Sequence, residues 1–177
     1  MKKFLVLMLA AILMLALTAC GAKETKDEDG GEGSANPWTE VADAEEAANG
    51  AGVGYFTLPE NGTEVTGGRI DFLGFRYMKN LAEADGAVGA AELTVRKGLK
   101  QDSEDVSGDY TAYKYAWTQD VGGWTVYCMG NEDGRTMKAI WVSDNFSYSI
   151  MVRGQGDYYD TYGLGAEDVT ALVEGIQ

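Results

Sequence analysis

Residues 112–152 read AYKYAWTQDVGGWTVYCMGNEDGRTMKAIWVSDNFSYSIMV. Four runs rich in β-branched and aromatic residues, 112–118, 124–129, 137–142 and 146–152, are separated by Gly122-Gly123, by the polar segment 131–134 and by Asp144-Asn145. Such residues favour a pleated, half-buried surface, and glycine, aspartate and asparagine reverse the chain between them. The spacing therefore predicts an antiparallel meander. In the last run Phe146, Tyr148, Ile150 and Val152 alternate with Ser147 and Ser149, and Arg153 continues the polar set. One face of that strand is expected to be buried.

Working outward, 70–78 and 90–97 are further strand candidates, with a segment near 81–85 pairing between them. Residues 53–58 predict a strand ended by Pro59, and Asn61-Gly62 marks a turn. Asp43 with Glu46 three residues on has the pattern of a capping box, so a short helix carrying Ala44, Ala47 and Ala48 runs to a stop at Asn49-Gly50. A second helix over 166–176 sets Val169, Leu172, Val173 and Ile176 on one apolar stripe, with Glu167 and Asp168 in the first turn, where the helix dipole favours negative charge. The predicted fold class is α+β: a curved antiparallel β-sheet meander with a short N-terminal helix and a C-terminal helix packed on the sheet. It forms one domain over 37–177.

The order of several short motifs carries a resemblance. Asp-Ala-Glu-Glu-Ala-Ala at 43–48 precedes Gly-Tyr-Phe-Thr-Leu-Pro at 54–59. Leu-Thr-Val-Arg-Lys-Gly at 93–98, Val-Ser-Gly-Asp-Tyr at 106–110, Ala-Ile-Trp-Val-Ser at 139–143 and Phe-Ser-Tyr-Ser-Ile at 146–150 follow, before an acidic final helix. Together they resemble small secreted domains of the domain-of-unknown-function family 4367, found in lipoproteins and in extracytoplasmic parts of sigma-factor regulators of Gram-positive bacteria. The resemblance spans most of 38–177. It implies an α+β fold and an envelope setting, and brings no catalytic residues with it.

The N-terminus points the same way. Lys2-Lys3 precedes sixteen residues without a charge, 4–19, shorter than the roughly 20 that span a membrane and close to a signal h-region. Leu17-Thr18-Ala19-Cys20 resembles the bacterial lipobox, which implies a diacylglyceryl group on Cys20 Sγ and cleavage before it. The alternative is an ordinary signal peptide with a cysteine at its end. The expected organisation is a lipoprotein signal peptide at 1–19, a lipid-anchored flexible acidic linker at 20–36, and the globular domain. Residues 21–36 hold no large apolar side chain, so nothing favours their ordering, and their extended length is on the order of 50–60 Å. The expected location is a bacterial membrane, held through the lipid, with the domain facing outside the cytoplasm. Cys128 is then the one cysteine of the domain, which permits no internal disulfide.

Charge and composition restrict function. The 177 residues carry a formal net charge of −14, and losing Lys2 and Lys3 takes it to about −16. A surface this acidic lacks the basic footprint of a nucleic-acid binder. There is no histidine, which excludes Ser–His–Asp and Cys–His nucleophile systems and His-containing zinc sites. The segment 62–69 lacks the Lys and Ser/Thr of a phosphate-binding loop. No cofactor or resident metal is expected.

Candidate site residues remain few. Trp117, Trp124 and Trp141, with Tyr113, Tyr115, Tyr127 and Tyr148, form an aromatic zone that stacks on a sugar or peptide or else packs across strands. Arg96 with Asp109 and Tyr110 makes either a ligand clamp or a buried Arg–Asp pair fixing a loop. The acidic turns 102–105 and 157–160 lack the calcium-loop spacing and read as solvated. Cys128 alternates with Trp124 and Val126 and reads as an inert buried thiol. The leading expectation is a non-catalytic binding or interaction module of the cell envelope, with an envelope protein, peptide or glycan as ligand. A carboxylate-based hydrolase of envelope glycans and a sensor reporting to a membrane partner are the alternatives.

Overall fold

A computed structural model describes residues 36–177. The expected signal segment, Cys20 and the expected linker up to residue 35 lie outside the described residues. In chain order the elements are β1 (Thr39–Val41), α1 (Ala44–Ala51), β2 (Thr63–Val65), β3 (Gly68–Met78), β4 (Leu81–Val88), β5 (Ala91–Leu99), β6 (Tyr115–Val121), β7 (Trp124–Gly130), β8 (Lys138–Ser143), β9 (Phe146–Arg153) and α2 (Ala166–Gly175). A short 3₁₀ turn, Gly156–Tyr158, precedes α2. The fold is α+β, mostly antiparallel sheet with two helices.

The strands form one sheet in the order β1-β3-β4-β5-β9-β8-β7-β6, and β2 pairs with the opposite half of β3 from β1. The expected single meander is therefore corrected to two. β3 to β5 run as one. The chain then crosses to the far edge, and β6 to β9 run back to pair with β5. The crossing segment, 100–114, is bound to one face of the sheet by Arg96, Lys138 and Arg153.

Alternation divides the sheet into two faces. On the core face sit Leu93, Val95, Ile150, Val152, Ala139, Trp141, Val126 and Cys128, joined in one cluster with Ala47, Ala48 and Ala51 of α1 and Val169, Leu172 and Val173 of α2. Both helices thus bury their apolar stripes on the same face. Burial of this kind stabilises by roughly 25 cal/mol per Å² of apolar surface. The Asp43 side chain accepts from the Glu46 N–H at 2.9 Å, as the capping pattern requires. α1 runs past Asn49-Gly50 and closes at Gly52, whose φ of 74° is left-handed. In α2, Asp168 is buried and accepts from the Thr66 N–H at 2.7 Å, so it ties the helix to the β2–β3 turn as well as facing the dipole.

Two further expectations are corrected. Residues 53–58 form no strand: Gly52 and Gly54 both take positive φ, which breaks an extended ladder, while Val53 and Phe56 still reach the core. The run placed at 112–118 begins its ladder at Tyr115, because Thr111 and Tyr113 are held by Asp109 in the crossing segment.

Candidate interaction surface on the outer face

The second face, turned away from the helices, is polar under the crossing segment and apolar beyond it. Its polar centre is Glu83, fully buried on β4. Arg96 sits directly opposite on β5 and Arg76 on β3, and each donates to a different oxygen of the Glu83 carboxylate. Arg76 also lies 3.4 Å from Asp85. Trp38 covers both guanidiniums, with its ring centre 4.8 Å from Arg76 and 5.6 Å from Arg96. Burial pushes the Glu83 carboxyl above its ordinary range, against the pull of Arg96 and Arg76.

The crossing segment is fastened to this face by charge. Arg96 donates to the carbonyls of Ser107 and Val106. The buried Lys138 ammonium donates to the Asp105 carboxylate and to the Asp109 carbonyl, each at 2.7 Å. Arg153 meets the Asp109 carboxylate at 3.2 Å. Gly108 makes the approach possible: its φ is 66°, and a Cβ there would fall 2.5 Å from Arg96 Nη1. Burial works to raise the Asp109 carboxyl, but hydrogen bonds from Thr111 and Tyr113 and the Arg153 charge outweigh it and bring it down to about 2. Beneath the segment Ser147 and Ser149 are buried, so both faces of β9 are covered. Alongside runs a cleft of about 290 Å³ reaching Arg96, Asp105 and Gly108.

These positions resolve the residues singled out from sequence. Arg96 and Asp109 both fix the crossing segment but do not pair with each other: Arg96 takes Glu83, and Asp109 takes Arg153. Tyr110 projects into solvent at 96% exposure. Trp141 and Tyr148 are buried and stacked, with ring centres 5.1 Å apart and planes at 7°, so they belong to the core and not to an open surface. Trp117 and Trp124 are half-buried at the core margin. Cys128 is fully buried, and burial raises its thiol pKa.

Beyond the crossing segment the outer face opens into an apolar concavity of about 510 Å³. It is lined by Ala116, Trp117, Thr118, Tyr127, Cys128, Met129 and Ile140. Register places Ala116, Thr118, Tyr127, Met129 and Ile140 on the outer face, with Tyr127 52% exposed. β6 ends the sheet, and among the described residues no strand pairs with its far edge. Ala116 and Thr118 keep that edge low, while Gln119 Nε2 is taken up by Ala166 O at 2.8 Å and Thr170 Oγ1 at 2.7 Å.

Residues that sequence reasoning missed are the buried charges. Besides Glu83 and Lys138, Lys97 lies on the core face at 4% exposure. Its ammonium donates to the Tyr55 carbonyl and sits 4.4 Å from the Phe146 ring centre and 5.3 Å from that of Tyr148. Burial lowers its pKa. A desolvated amine has the character of an imine-forming nucleophile, but this one is sealed from solvent. Among the described residues no three Cys, Asp or Glu side chains converge as metal ligands. On the outer face Glu83, Asp85, Asp105 and Asp109 each meet a cation, so this cluster holds structure, and the concavity and the β6 edge stay open to a partner. No family model, curated protein or solved structure matches this chain.

Proposed function

We propose that this chain is a lipid-anchored, extracytoplasmic lipoprotein of a bacterial envelope whose domain is a non-catalytic interaction module. On this reading Cys20 carries the lipid, the acidic linker sets the reach of the domain, and the resemblance to the domain-of-unknown-function family 4367 supplies the envelope setting. The interaction surface is the apolar concavity together with the β6 edge. The observation that carries the reading is their adjacency. An unpaired strand offers a row of backbone N–H and C=O groups, and apolar hollows beside it accept alternate side chains, which is how an extended protein segment is recognised by strand addition. The finer picture of a sheet that curves round its helices fits the register shift at Leu73 and the short three-residue β7–β8 ladder.

A photoreactive side chain at Ala116 of the full chain, in its own membrane, tests this against the same group at Leu73, which is exposed at the bulge of β3. The reading predicts a discrete protein adduct, identified by mass, from Ala116 and none of that mass from Leu73. Adducts indistinguishable between the two positions would overturn it, as would turnover of an envelope glycan lost on removing a carboxylate.

A further inference from the structure

We propose that the occupant of the β6 edge is a second copy of this chain, paired antiparallel so that two sheets become one. This rests on the reading of that edge as the interaction surface and names its partner. Charge sets the register. A two-fold axis through Trp117 places Tyr115 opposite Gln119 and Ala116 opposite Thr118, and sets Lys114, the exposed residue just before the strand, beside Asp120 of the other copy. Lys114 and Asp120 are both exposed, and among the described residues neither takes part in an ion pair within its own copy. A slip of one residue moves Lys114 opposite Gln119 or Val121 and loses both pairs. In an isologous contact every interaction forms twice.

The edge also lacks the usual defence. Sheet edges are kept from pairing by a central charge, a proline, a bulge or a covering element. β6 has neither charge nor proline between Tyr115 and Gln119; its one charge, Asp120, stands near one end, and Lys114 just precedes the other. The other edge of the sheet is shielded by the short β1 and β2. Pairing at β6 brings the two apolar concavities side by side on one continuous outer face.

Sedimentation velocity of the full chain in detergent, over a micromolar concentration series, reads the self-association. Lys114→Glu and Asp120→Lys should each weaken it about tenfold or more, because each reversal acts twice. The two substitutions together should restore it to within about threefold. Cysteines at Ala116 and Thr118 should join two copies under mild oxidation, since Cα atoms about 4.5–5.5 Å apart across an antiparallel pair lie within disulfide reach. A chain that stays monomeric across the series, or association indifferent to both charge reversals, overturns the proposal. If the chain is monomeric yet Ala116 captures a different, identified envelope protein, the second-copy assignment fails and the interaction surface stands. If Ala116 behaves as Leu73 does, both fail.

Discussion

The Lys138 ammonium lies 2.7 Å from the Asp105 carboxylate, and this contact fastens the segment between β5 and β6 to the middle of the outer face. Lys138 is buried, so its charge is tolerated because Asp105 and the Asp109 carbonyl accept from it. Replacing it with methionine should leave the sheet intact and loosen the segment. Hydrogen exchange should quicken at residues 103–113 and stay unchanged in β4 and β5, with stability falling by about 1–3 kcal/mol.

Asp109 gives the same segment a pH dependence. Its carboxyl is held at about 2 in the folded protein, against an ordinary value of 3.8. A group depressed in this way adds stability that is fully present above 3.8 and is lost as pH falls through about 2. Asp109→Asn should therefore cost ~2 kcal/mol at pH 7 and almost nothing near pH 2. Urea unfolding at a series of pH values checks both the magnitude and the convergence.

Glu83 is the keystone of the outer face, because it alone accepts from both Arg76 and Arg96. Glu83→Gln removes the charge while keeping the shape, and leaves two guanidiniums facing a neutral group. Breaking one side of a buried ion pair costs roughly 3–5 kcal/mol. Because burial outweighs the pull of the two guanidiniums on this carboxyl, the expected loss in urea unfolding at pH 7 is smaller than that figure.

Lys97 works in the opposite sense. Burial lowers its folded pKa below the ordinary 10.5. The folded state therefore sheds its proton first, and stability rises as pH climbs from the folded value toward 10.5. Lys97→Met should remove that rise and be neutral or stabilising at pH 7, since it trades a desolvated ammonium for apolar volume. Chemical denaturation between pH 7 and 10 reads the slope, and an unchanged slope would show that Lys97 does not produce it.

Much of this architecture was legible in the sequence. The last four strands, the Asp43 cap and the apolar stripe of α2 follow from periodicity and turn chemistry, which are local properties. The strand order was not legible: nothing between Leu99 and Tyr115 reveals that the chain crosses a face before β6 begins. That crossing also buried the Ser147 face of β9, which alternation alone left open to water. The residues of the outer face were half visible. Arg96-Lys97 on an alternating strand already requires one cation to point into the core, and Leu-Ala-Glu-Ala at 81–84 sets one acid among small residues; both signals were present. What no local pattern carries is the partner: sequence suggests Asp109 for Arg96, and the fold supplies Glu83. The aromatic zone divided for the same reason: Trp141 lies on a central strand and is buried, while Trp117 lies on the edge strand and borders the open concavity.

Hydrogen exchange across β6, measured on the full chain in membranes of cells that make it and again in dilute detergent, tests the central claim most directly. If the β6 edge and its concavity are the working surface, amides in Tyr115–Val121 exchange more slowly in the membrane sample than in the dilute one. Those of β1 and β2, at the other edge, should be the same in both. Equal exchange in β6, with protection arising elsewhere on the domain, would contradict the account.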